Sequence, residues 1–225
     1  MKRAHVFVVI VRAAAAILVA GVSTGAAAQA CGSLVNAYGP FDYRTQKQQL
    51  AIVEKFHFTP DVESLRHSST SALGSDLDYT LRASPNHHRA LNSMANLALR
   101  QKTERPRGAE YTVDCYFDRA VRFAPDDGLV LVIYGVYLSR TNRRAEAVRV
   151  FEQAKKREAD NPNLYYNLGL VYFDLKEYAN ALENAHRAYE LGAVLPGLRN
   201  KLQAVGKWQD APARNGAAAG AASGR

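Results

Sequence analysis

Four histidines, His57, His67, His87 and His88, fall within thirty-two residues, and imidazoles gathered this way could ligate a metal or a haem. Their spacing argues against it. On a helix His87 and His88 point about 100° apart, so the adjacent pair cannot chelate one ion. No two histidines stand at i, i+4, and neither H-E-x-x-H nor the haem-attaching C-x-x-C-H occurs. His87 and His88 follow Pro85, where polar side chains can bond the free backbone groups of a helix start. That structural reading is favoured, and metal or haem binding through these histidines is the rival. Nucleophile chemistry has no foothold, since there is no G-x-S-x-G elbow and no phosphate loop. The carboxylate pairs Asp76/Asp78 and Asp126/Asp127 fall at expected helix starts or turns, where capping and the helix dipole account for them. The basic run Lys155-Lys156-Arg157 suits a solvated helix end and lacks the interleaved aromatics of a nucleic-acid stripe. The expectation is a protein without catalysis, cofactor or nucleic-acid partner.

The two cysteines carry a different message. Residues 1–30 begin with Lys2 and Arg3, continue in an apolar run from Val6 to Val22 broken by Arg12, and end in Ala28-Gln29-Ala30. This is the pattern of a cleaved export signal, and the run is too short and broken for a membrane span. Cleavage after Ala30 makes Cys31 the first mature residue. Lipid anchoring through Cys31 is less favoured, because Ala28 stands where lipid-modified proteins usually carry leucine. An exported chain, most readily periplasmic, with only Cys31 and Cys115 favours a disulfide between them over two unpaired thiols. Closing that loop is worth roughly 3–4 kcal/mol on loop-entropy grounds. The net charge of +8 falls to +5 once residues 1–30 are set aside, and the charges are interspersed. Such a balance serves solubility and does not indicate nucleic-acid binding.

The elements that would position these residues are helical throughout. Residues 31–45 have no helical period, and Phe41 and Tyr43 read as anchors on a neighbouring helix. Gln46 to Phe56 forms a helix with Leu50, Val53 and Phe56 on one side. Thr59-Pro60 starts a short one, and Ser75 with Asp78 suggests a capped start for another through Ala83. After Pro85, residues 86–101 place Leu91, Met94, Ala95 and Ala98 on an apolar stripe. A polar insertion, 102–108, separates this helix from 111–123. Leu131, Gly135, Leu138, Ala147, Phe151 and Ala154 then mark a helix pair, and a similar set recurs further on. Gly135 and Gly169, Ala147 and Ala181, and Ala154 and Ala188 are each thirty-four residues apart. Pro196 begins a last amphipathic helix with Leu198, Leu202 and Val205, and 211–225 is an Ala/Gly-rich tail expected to be disordered.

The segment PNLYYNLGLVYFDLKEYANALENAHRAYEL (162–191), with its thirty-four-residue offset, resembles the tetratricopeptide repeat (TPR). The resemblance is specific for 128–161 and 162–195 and partial for 86–127, where the insertion breaks the period. The front segments GPFDYR, HFTPDVESL and DLDYTLRASPNHHRAL also resemble exported bacterial TPR proteins without an assigned activity. It implies an all-α fold, a short TPR-type solenoid. An N-terminal helical module (31–85) precedes the repeats (86–195), and a capping helix (196–210) follows. It further implies a scaffold whose first helices line a partner-binding groove. Carried over residue by residue, the groove candidates are Arg89, Asn92, Asn96 and Arg100. The next repeat supplies Leu129, Val132 and Val136, and the last supplies Asn163, Tyr166, Leu170 and Phe173. The lysines of the subtype that clamps a partner's C-terminal carboxylate are missing. The implied partner is a protein or peptide, in a role such as envelope assembly.

Overall fold

The computed structural model describes residues 31–211, and the expected export signal (1–30) and most of the expected C-terminal tail lie outside them. Among the described residues the fold is an all-α solenoid. We number its helices α1 (Lys47–His57), α2 (Pro60–Glu63), α3 (Leu73–Ala83), α4 (His88–Gln101) and α5 (Val113–Phe123). Then follow α6 (Gly128–Arg140), α7 (Arg144–Lys155), α8 (Pro162–Asp174), α9 (Tyr178–Glu190) and α10 (Gly197–Ala204). Helices α4/α5, α6/α7 and α8/α9 pack as pairs, and α4, α6 and α8 touch in succession. Helices α1 and α3 precede the stack, with α3 against α4, and α10 closes its far end against α8 and α9.

Local chemistry sets the helix ends. Thr59 accepts a hydrogen bond from the Val62 N–H, with Pro60 in the first turn of α2. Thr112 does the same for Cys115 at the start of α5, and Asn161 for Asn163 and Leu164 at the start of α8. Helix α3 departs from expectation by beginning at Leu73, with no side-chain cap. Its carboxylates act elsewhere. Asp76 accepts from the Ser69 and Thr70 N–H groups and the Thr70 hydroxyl, tying the polar loop onto the helix. Asp78 is buried and accepts from Arg82 and the Tyr116 hydroxyl.

Large-to-small contact between paired helices builds the core. Ala147, Phe151 and Ala154 of α7 and Ala181, Ala185 and Ala188 of α9 have no exposed surface. They lie in clusters that also bury Leu138, Leu164 and Leu168, or Leu198 and Leu202. Two apolar residues do not sit where their pattern put them. Phe56 turns outward from Leu50 and Val53 and is 52% exposed, and Val205 beyond α10 is 42% exposed. Each lies at an end of the stack, where no further helix among the described residues covers it.

Residues 31–46 form a strap held on the outside of the stack. Cys31 is disulfide-bonded to Cys115 of α5. Two guanidinium groups on the same face of α5 hold the adjoining backbone. Arg119 Nη1 donates to the carbonyls of Cys31 (3.0 Å) and Ser33 (2.6 Å), and Arg122 donates to that of Gly32 (3.1 Å). With its Sγ in the disulfide, Cys31 has no sulfur free for a lipid thioether. Further on, the Phe41 N–H donates to the Ala83 carbonyl and the Tyr38 hydroxyl to that of Gln49. The strap ends on buried Asn86, which donates to Asp42 (2.9 Å) and Asp127 (2.8 Å) and accepts from the Tyr43 N–H (3.0 Å). Arg44 pairs with both Asp42 and Asp126, and holds the Asp42 carboxyl well below the usual carboxylate range.

Candidate partner-binding groove

The front histidines do not converge. His57 Nδ1 lies 3.3 Å from Asp76 and its ring stacks on Tyr79. His88 Nε2 bonds Asp127 at 2.8 Å, and His67 is exposed. Buried His87 faces Glu54 through Nε2 at 2.9 Å, while its Nδ1 accepts from the Ala90 N–H and so caps α4. That acceptor role requires the neutral ring with its proton on Nε2. Burial, helped by nearby Lys47, pushes the His87 pKa down to about 3, so the Glu54 contact is a hydrogen bond and not an ion pair. Three histidines thus answer three separate carboxylates. Among the described residues no three His, Cys, Asp or Glu side chains are arranged to hold a metal ion.

Helices α4, α6 and α8, stacked side by side, carry the groove candidates. On α4, residues 89, 93, 96 and 100 follow spacings of four, three and four, which is one stripe. The structure finds much of it occupied from within the chain. Arg89 is paired with Glu63 of α2, lowering the Glu63 pKa below its ordinary value. The Ser93 hydroxyl donates to the Glu63 carbonyl (2.9 Å), and Arg100 Nη1 to that of Leu65 (2.6 Å). Helix α2 and its following turn therefore lie over the stripe, anchored by Val62, which has no exposed surface. Asn96 accepts from Arg140 of α6 (2.5 Å), and Asn92 is exposed without a bonding partner among the described residues.

On α6, Val132 is a correction to the sequence-based set. It is buried with Leu131, Leu164 and Leu168 and presents almost no surface, whereas Leu129 and Val136 are half-buried. On α8, Asn163 is exposed, and Tyr166, Leu170 and Phe173 are half-buried against the cluster that α10 completes. The ammonium of Lys201, on α10, sits 5.0 Å from the Phe173 ring centroid. A continuous groove from Arg89 to Phe173 is therefore not what the fold presents. Helix α2 covers one end and α10 approaches the other. Between them stand Asn92, Leu129, Val136 and Asn163.

Sequence reasoning missed buried Ser93, which holds α2 on the stripe, and Arg140, which joins α6 to Asn96. A second offset could have found Arg140. Pro85 and Pro125, Leu91 and Leu131, Ala95 and Gly135, and Arg100 and Arg140 are each forty residues apart. Phe117 and Phe151 are thirty-four apart, so the extra six residues fall between α4 and α5.

Comparison with known proteins bears on the same helices. Residues 162–191, which are α8, its turn and α9, match the tetratricopeptide repeat family model. The chain is also similar to protein O-mannosyl-transferase TMTC3 of Homo sapiens, with 32% identity over 114 residues. The Mus musculus protein of that name is 33% identical over 99 residues. These matches cover 50% and 44% of this chain but 12% and 10% of those proteins. The chain therefore spans only a small part of the curated relatives it matches.

Proposed function

Because this chain is a tetratricopeptide-repeat protein, we propose that it is a non-catalytic exported scaffold, acting in the periplasm, that binds a protein or peptide partner in envelope assembly. The observation that carries this reading is the half-exposed apolar and amide surface of α6 and α8, at Leu129, Val136 and Asn163. A surface of this kind, with an apolar centre and polar edges, suits a peptide segment. The Cys31–Cys115 disulfide favours an oxidising compartment. No described helix is long and apolar enough to cross a membrane. The transferase activity in the relatives' name belongs to proteins of which this chain matches only a small part, and nothing here extends it to this chain.

Crosslinking in intact cells tests the proposal. A photoreactive residue at exposed Asn163 should capture a defined envelope protein, and Val136→Glu should abolish that capture. The same probe at exposed Gln153, on α7, is the control. Equal capture from Asn163 and Gln153, or capture that survives Val136→Glu, would refute this assignment of the surface.

A further inference from the structure

The longer connection between α4 and α5 makes a second feature of the partner surface. Where α6/α7 and α8/α9 are joined by three residues, 102–112 must span from α4 to α5. Between the start of this connection and the last turns of α4 and α6 lies an open cavity of about 270 Å³. Ala98, Leu99 and the ring of Tyr137 supply its apolar lining, and Lys102, Arg140 and Glu104 its charges.

Three observations say what this cavity is suited to hold. Tyr137 is only 4% exposed, yet its hydroxyl makes no hydrogen bond among the described residues and is not sealed away from solvent. Tyr137 is one of the residues that line the cavity. Buried phenols ordinarily find a partner, as Tyr116 does with Asp78 and the partly buried Tyr134 with Asp114. Burial, with Asp114 and Glu104 adding to it, pushes the Tyr137 pKa up, so the hydroxyl keeps its proton and can donate. Second, neither Lys102 nor Arg140 forms an ion pair among the described residues, although Glu104 shares the lining with both. The cavity carries two cations against one acid. Third, Arg140 also donates to Asn96, so the cavity is continuous with the stripe of α4.

We propose that this cavity is a subsite for an acidic side chain of glutamate size on the bound partner peptide. The carboxylate pairs with Arg140 and Lys102 and accepts from the Tyr137 hydroxyl, while the methylenes lie on Ala98 and Leu99. The volume fits one residue, since a cavity of about 150 Å³ already holds a benzene ring. Glu104 opposes the ligand and tempers its affinity. The proposal rests on the peptide-scaffold reading above and deepens it.

The test uses the full mature chain, isotopically labelled, titrated with N-acetylglutamate N-methylamide and, separately, with the glutamine counterpart. The glutamate compound should give saturable amide shifts at Leu99, Lys102, Thr103, Tyr137 and Thr141, weakened by added salt, and the glutamine compound should not. Arg140→Gln and Tyr137→Phe should each weaken binding by roughly fivefold or more, and Glu104→Gln should strengthen it. Tyr137→Phe keeps the ring, so its effect is not one of lost packing. Equal shifts with both compounds, or none up to the solubility limit of the probe, would overturn the subsite. If the subsite binds but Asn163 captures no partner, the scaffold reading fails alone. If Asn163 captures a partner but the probe gives no shifts, the subsite fails alone.

Discussion

Gly135 and Gly169 occupy the same place in successive repeats, yet the structure predicts different outcomes when each is replaced by alanine. A Cβ at Gly135 would lie 2.7 Å from two atoms of the Phe151 ring and 2.9 Å from a third. Unstrained carbon atoms sit about 3.5–4.0 Å apart, and Phe151, with no exposed surface, has nowhere to retreat. At Gly169 the nearest atom is the terminal Cδ2 of Leu198 at 2.5 Å, and the next is the Ala181 carbonyl oxygen at 3.3 Å. Leu198 belongs to an eight-residue helix at the end of the stack, and its side chain can rotate or the helix shift. Both changes gain about 1 kcal/mol in helix propensity. Overpacking a rigid ring costs about 1–3 kcal/mol, and moving a flexible side-chain end costs less. Gly135→Ala should therefore lose up to about 2 kcal/mol, which lowers the melting midpoint by up to roughly 8 °C for a chain of this size. Gly169→Ala should stay within about 1 kcal/mol of the parent. Urea unfolding followed by circular dichroism measures both. A Gly135→Ala protein as stable as Gly169→Ala would refute the close-packing argument. So would a double-mutant cycle in which Phe151→Leu fails to relieve the Gly135→Ala penalty by about 1 kcal/mol.

Two further perturbations test the outer strap and the buried histidine. Replacing Cys31 and Cys115 with serine removes a crosslink spanning 84 residues, and should cost about 4 kcal/mol in urea unfolding. Unchanged stability would mean that Arg119 and Arg122 alone hold the strap. His87 binds its proton near its ordinary 6.5 when unfolded but only near about 3 when folded. Between those values the unfolded state carries more protons, so stability must fall as pH drops through the window. His87→Asn keeps an acceptor for the Ala90 N–H but removes the titration. Its urea midpoints should decline less steeply than the parent's over that window, and identical slopes would show that His87 does not stay neutral.

The legible part of this chain was the part governed by local repetition. The spacing of Gly135, Ala147 and Ala154 against Gly169, Ala181 and Ala188 encodes how two helices approach each other. A sequence carries that kind of information in full, because each repeat solves the same packing problem. The Cys31–Cys115 link was legible for another reason, since two cysteines allow one intramolecular pairing. Illegible were the contacts that join distant segments without repeating. Nothing in DVES (61–64) announces that Glu63 will meet Arg89 and Ser93, or that the Leu65 carbonyl will meet Arg100, because each bond depends on where a non-repeating loop comes to rest. Asp127 at a helix start reads as a cap, but it leaves the helix uncapped and takes Asn86 and His88 instead.

The same distinction decides what the partner surface can be. Positions inherited from the repeat describe a stripe running across all three inner helices, whereas the non-repeating segments decide how much of it remains open. Displacing α2 to free the first repeat would expose Val62, at roughly 1.5–3 kcal/mol, and would also leave Arg89, Ser93 and Arg100 without their present acceptors. A partner meets α2 as fixed wall and not as a lid. On the scaffold reading proposed above, its footprint lies on α6, α8 and the end of α4, with Asn92 and the Asn96–Arg140 contact marking where the wall ends. On that reading, selectivity in such a short stack comes less from the repeat itself than from the insertions that interrupt it.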